Sequence, residues 1–169
     1  MMNSPFADYL DRINDTVGKI VRWLAIFMVL VQVAIVIMRY GFGISAIAVN
    51  ESVLYMHAAL FMLGAGYTLL IDGHVRVDIF YAKASTATKQ VIDIFGHLFL
   101  LLPSMATVLY WSWPSVRNAW SILEGPISVG GIPASFLLKS LIPAFCVLLM
   151  IQSTACLLRN IAVLAGRRI

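Results

Sequence analysis

SVLYMHAALFMLGAGYTLLIDGHVRVDIF, residues 52–80, runs for twenty residues without a formal charge and then places Asp72, His74, Arg76 and Asp78 within seven positions. About 20 apolar residues cross the hydrocarbon core of a bilayer as a helix. The uncharged part therefore reads as a membrane span, and the charged part as the wet turn that follows it. The fold of the whole chain depends on how often this unit recurs.

It recurs three more times. Apolar runs of spanning length occupy about 20–38, 94–116 and 140–158, besides 52–71. The chain is 61% hydrophobic and 12% charged, against about 25% charged in a soluble domain. A body of 169 residues cannot hide that much apolar surface from water, so lipid must cover it. The sequence predicts an all-α integral membrane protein with four transmembrane helices, forming one membrane domain over 1–169. Residues 1–19 carry Asp8, Asp11, Arg12, Asp15 and Lys19 rather than a basic start and an apolar core, so they do not read as a secretory signal. The net charge of +4 comes from scattered residues that form no basic patch, which argues against nucleic acid as a partner.

Lysine and arginine counts orient the spans. Arg12, Lys19, Arg22, Arg76, Lys83, Lys89, Arg159, Arg167 and Arg168 fall on one side; Arg39, Arg117 and Lys139 fall on the other. Nine against three places both termini and the 72–93 turn in the cytoplasm. Before the first span, Ser4 can cap a helix whose Phe6, Leu10, Ile13, Val17, Ile20 and Leu24 recur at helical spacing. This amphipathic segment, 4–19, is expected to lie in the membrane interface. In the second span Ala59 and Gly66 are seven apart, as are Ala58 and Ala65; with Gly64 they allow close approach of another helix. Pro103, mid-span, predicts a kink in the third helix.

Catalytic and cofactor chemistry find little to work with. Apart from Arg22, close enough to its span's end to snorkel, no Asp, Glu, Lys or Arg lies between the span ends, where intramembrane catalysts and carriers usually show them. His57 and His97 could in principle ligate a haem between the second and third helices. Their depths, about 8 Å from one membrane face and about 5 Å from the other, leave them about 17 Å apart in level. Gln32 and Gln152 lie within spans, where an amide must find a partner, so both are expected to bond other helices. Cys146 and Cys156 sit about 15 Å apart along one helix and cannot bond each other there. Asp72, His74 and Asp78 are metal-ligand types without a ligating spacing, and Arg76 stands among them. No nucleophile accompanies them. The readings left are a solvated turn or a segment locked to a partner by charge-assisted hydrogen bonds. Arg39 and Glu51 bound a short loop on the opposite side and can pair with each other or with a partner.

A longer stretch, NESVLYMHAALFMLGAGYTLLIDGHVRVDIFY over residues 50–81, resembles the signature region of the small membrane subunit of tripartite ATP-independent periplasmic (TRAP) transporters. Glu51 matches the acid that opens the second helix, with Asn50 where many members carry a second acid. Leu63-Gly64-Ala65 matches the leucine-glycine-alanine run. Gly73, His74, Val75, Arg76, Val77 and Asp78 match the segment after it. The Arg39-Tyr40 pair, the length and the four-helix layout agree as well. The third loop, GGIP at 130–133 with LLKSLIP at 137–143, is similar to the branch that handles mannitol or chloroaromatic compounds.

The resemblance implies a division of labour. A periplasmic binding protein captures a small organic solute, and a large elevator-type membrane subunit carries it inward on a sodium gradient. The small subunit braces that large subunit in the bacterial inner membrane. It would itself be no enzyme and bind no metal or cofactor, sodium belonging to the large subunit. Its expected partners are the large subunit, the binding protein and membrane lipid. Its expected contact or structural residues are Arg39, Glu51, Ala59, Gly64, Gly66, Gly73, His74, Arg76 and Asp78. A membrane anchor for a redox enzyme and a self-sufficient homo-oligomeric exporter are the alternatives. The exporter would need a membrane-embedded carboxylate, which the spans lack.

Overall fold

The computed structural model describes residues 5–74, 81 and 84–166. Four long helices account for most of them: α1 (Pro5–Gly41), α2 (Ile47–Leu70), α3 (Thr86–Ser121) and α4 (Ser135–Leu164). No strand occurs among the described residues. Each helix is long and apolar enough to cross a membrane, and each overlaps one predicted span. Arg76 and Asp78 lie outside the described residues.

α4 is the centre of the bundle. It packs on α1, α2 and α3, while α1 packs on α2 and α3 rests chiefly on α4. Burial follows that order: α4 has nine buried residues and α2 only Glu51 and Gly66. Among those of α4 are small or polar ones such as Cys146, Ser153 and Ala155, which let neighbouring backbones come close. Large apolar side chains of α1 and α3, such as Phe27, Leu30, Phe99 and Trp111, are exposed. In a bilayer that is the ordinary arrangement, because lipid tails are as apolar as leucine.

The amphipathic segment expected at 4–19 continues into the first span without a break, so α1 has 37 residues. At 1.5 Å per residue it is about 55 Å long, well beyond a hydrocarbon core of about 30 Å. Its buried stripe is Ala7, Leu10, Asn14, Gly18 and Val21, which shares only Leu10 with the bulky stripe. Phe6 and Ile20 are exposed. Small and hydrogen-bonding residues won the inward face because α1 lies close against both α2 and α4 there. A side chain at Gly18 would overlap the Tyr67 ring.

In α3 the irregularity comes just before Pro103, as a π-helical turn over Gly96–Leu101. The Leu102 N–H reaches back five residues to the His97 carbonyl. Proline offers no N–H and crowds the carbonyl four residues earlier, and a wide turn absorbs that conflict. The Ser104 hydroxyl bonds the Leu100 carbonyl, and Thr107 bonds that of Pro103 at 2.8 Å.

α2 and α3 end alike. Gly73 N–H bonds Thr68 O at 2.8 Å and Asp72 N–H bonds Leu69 O, with Asp72 at φ 57°. Glu124 N–H bonds Ala119 O and Leu123 N–H bonds Trp120 O, with Leu123 at φ 44°. Both are Schellman caps, each with a left-handed residue that is not glycine. Aspartate visits that region more readily than leucine does. In the first cap the glycine stands one place later, where a Cβ would press on Thr68.

Candidate functional site

Two polar clusters hold the bundle, one at each end. At the end carrying both termini, α1 meets the last turns of α4. Asn14, fully buried, donates from Nδ2 to Gln152 Oε1 at 3.0 Å and to Leu148 O at 3.2 Å. Gln152, also fully buried, donates from Nε2 to Asp11 Oδ1 at 2.9 Å. Asp11 in turn pairs with Arg159, which also reaches Asp8 at 3.6 Å. Asn14 Oδ1 has no hydrogen-bond partner and faces Gly66 of α2 so closely that a Cβ there would overlap it. Three helices thus meet at one amide, which only glycine at position 66 admits.

At the far end the organising group is Glu51. It stands in the first turns of α2, is buried, and accepts the backbone N–H groups of Ser128 at 3.0 Å and Ile132 at 2.7 Å. These are charge-assisted bonds to the α3–α4 loop. Gly130 has φ 82°, and a Cβ on Gly131 would overlap the Glu51 carboxylate. The two glycines serve different ends: one lets the chain turn and the other lets it close on the acid. Around this grip Lys139 Nζ lies 2.9 and 2.6 Å from the two oxygens of Glu124. The Ser135 hydroxyl bonds Gly125 O at 2.5 Å.

The structure separates residues that the sequence grouped. Glu51 spends its carboxylate on the third loop and not on Arg39, which is exposed at the end of α1. Gln152 makes the interhelical bonds expected of it, but Gln32 is exposed and makes none among the described residues. Gly66 is buried at the three-helix contact, whereas a Cβ on Gly64 would meet nothing within 4 Å; Ala59 is half-buried. His57 is exposed, while His97 shares a hydrogen bond of 3.0 Å with Ser153. No group of three potential metal ligands occurs among the described residues. Of the charged turn, Gly73 forms part of the α2 cap and His74 is exposed.

A family model described as "Tripartite ATP-independent periplasmic transporters, DctQ component" matches residues 28–163, a region that touches all four helices. The chain belongs to this family. No curated protein and no solved structure matches it. It is thus a multi-pass component of a TRAP transporter, in keeping with the resemblance carried by residues 50–81. The far-end grip of this DctQ-family chain lies wholly inside the matched region. Of the terminus-end cluster, Gln152 and Arg159 lie inside it and Asp8, Asp11 and Asn14 before it.

Sequence reasoning missed Asp11, Asn14 and Arg159 at the terminus end and Gly131 at the far end. The available signal was that Ala7, Asn14 and Gly18 make a second stripe, of small or hydrogen-bonding residues, beside the bulky one. In a membrane protein such a stripe marks the contact face and bulky residues mark the lipid face.

Proposed function

We propose that this chain is the static small subunit of a sodium-driven TRAP transporter of the bacterial inner membrane. In this reading it braces the scaffold of a large elevator-type subunit. A periplasmic binding protein delivers the small organic solute, and both termini and the 72–93 turn face the cytoplasm. The family match carries the reading. Within the fold, Gln32 and His57 support it. Gln32 lies six residues inside the far end of the first span and His57 five inside that of the second, about 9 and 8 Å. Both are exposed and make no hydrogen bond among the described residues. An amide or imidazole facing hydrocarbon is costly and calls for a polar group from another chain. A large membrane partner supplies one. His74, Arg76 and Asp78 then serve assembly, and Asp78→Ala or Arg76→Ala should lower transport in proportion to the complex lost.

Purification from the native membrane tests this. A large multi-span partner should accompany the chain, and Gln32→Leu should reduce its recovery. Proteoliposomes with both chains and the binding protein should take up solute on a sodium gradient. Recovery of a stable homo-oligomer alone, or a Soret band, would instead favour the exporter or the redox anchor. Orientation is read with single cysteines at Ala87 and Ser128 in a background lacking Cys146 and Cys156. An impermeant thiol reagent should label position 128 in intact cells and leave 87 unmarked; the reverse overturns the orientation.

A further inference from the structure

A groove of about 650 Å³ runs between α1, α2 and α4 at the end that carries the termini. Most of its lining is apolar, including Gly64, Phe145, Leu149 and the exposed Phe61. Its mouth is formed by Lys19 and Arg22 of α1 with His74 after α2. Gly64 leaves the wall open, for a Cβ there would meet nothing within 4 Å. Neither cluster described above uses these side chains.

Charge decides what fits. Lys19 pairs with Asp15 at 2.6 Å, on the exposed side of α1. Arg22 and His74 have no ion-pair partner among the described residues, Arg22 lying only over the Trp23 ring at 5.9 Å. These residues bound the apolar runs 20–38 and 52–71, at the level where lipid headgroups lie and long basic side chains reach outward. An apolar slot under a cationic rim matches an acyl chain below a phosphate. Basic pockets between membrane helices hold anionic headgroups for this reason.

We infer that this groove is a binding site for one anionic phospholipid, its headgroup phosphate against Arg22 and Lys19 and an acyl chain along Gly64 between Phe61 and Phe145. The inference concerns this chain alone and does not depend on its transport partners. Bound lipid would fill the wall that Gly64 leaves open and tie the terminus end of α1 to the end of α2.

The test uses the full chain in nanodiscs of mixed phosphatidylglycerol and phosphatidylcholine with matched acyl chains, released into native mass spectrometry. The wild type should retain one phosphatidylglycerol in preference to phosphatidylcholine. Arg22→Gln and Lys19→Gln should each lower that preference, by about fivefold per basic side chain, and Arg22→Lys should keep most of it. Gly64→Leu, which fills the slot without touching the rim, should reduce retention of both lipids. Equal retention of the two lipids by the wild type, or unchanged preference in the Arg22→Gln, Lys19→Gln double variant, overturns the site. So does efficient disulfide capture of a partner helix by Phe61→Cys in the native membrane, for then protein occupies the groove.

Discussion

The two ends of this bundle are fastened by different means. At the far end one carboxylate, Glu51, takes two backbone donors of a loop. At the terminus end a chain of side chains, Asn14 to Gln152 to Asp11 to Arg159, joins two helices. Backbone donors are present whatever the loop sequence, so the far end needs only an acid and glycines that let the loop close on it. The terminus end depends on every side chain in the series, and on Gly66 to leave room. One fastening fixes a loop on a finished bundle; the other sets the register of α1 against α4.

The largest expected break in that comparison is at Gly66. Gly66→Ala drives a methyl into Asn14 Oδ1 and lies 3.3 Å from Leu148 Cβ. Overpacking and the displaced amide together should cost about 2–5 kcal/mol. Gly64→Ala, with open space around it, should change stability by less than about 0.5 kcal/mol. Thermal unfolding in detergent compares the two. Equal losses would mean that the small residues of α2 act through propensity and not through this contact.

Next is the amide pair. Gln152→Leu leaves the buried Asn14 donor without its main acceptor, at about 1–3 kcal/mol. The Asn14→Leu, Gln152→Leu double variant should cost clearly less than the sum of the singles, since no orphaned amide remains at that contact. A double-mutant cycle should give a coupling of about 0.6–1.7 kcal/mol, the range for polar pairs between membrane helices. Additive losses would show that the bond does not link the helices.

At the far end Glu51→Gln should loosen the loop while leaving the helices in place. An amide side chain offers one acceptor oxygen where the carboxylate offers two. Hydrogen exchange at the Ser128 and Ile132 amides should rise roughly tenfold, with amides around Gln152 unchanged. Faster exchange at both ends would mean that the two fastenings form one cooperative unit.

The smallest effect belongs to Lys139→Gln. Its pair with Glu124 is about a third exposed on each side, so the loss should be about 0–1 kcal/mol. A larger loss in the same unfolding assay would move this pair from the rim of the far-end grip to its centre.

Four helices able to span a membrane were legible because crossing a bilayer requires length and apolarity, and both are written in the residues. The signature around Leu63-Gly64-Ala65 and Gly73-His74 made the family legible too. Glu51, at a span end, was expected to pair with Arg39 or with a partner chain; its acceptance from Ser128 and Ile132 was not legible, since they lie 77 and 81 residues away and contribute backbone atoms that every residue possesses. Which face of α1 meets α4 was not legible, because bulky residues are equally content in lipid and the contact face is set by fit and hydrogen bonding with another helix.

By itself, then, the sequence determined a four-helix membrane protein of the TRAP DctQ family, through runs of apolar residues and a local motif. Only tertiary structure decided which helix stands at the centre, which glycine is crowded and which is open, and where each polar side chain finds its partner. Hydropathy is a property of each segment alone, but fit and hydrogen bonding belong to pairs of segments. Between helices equally content in lipid, those pairwise terms alone choose the arrangement.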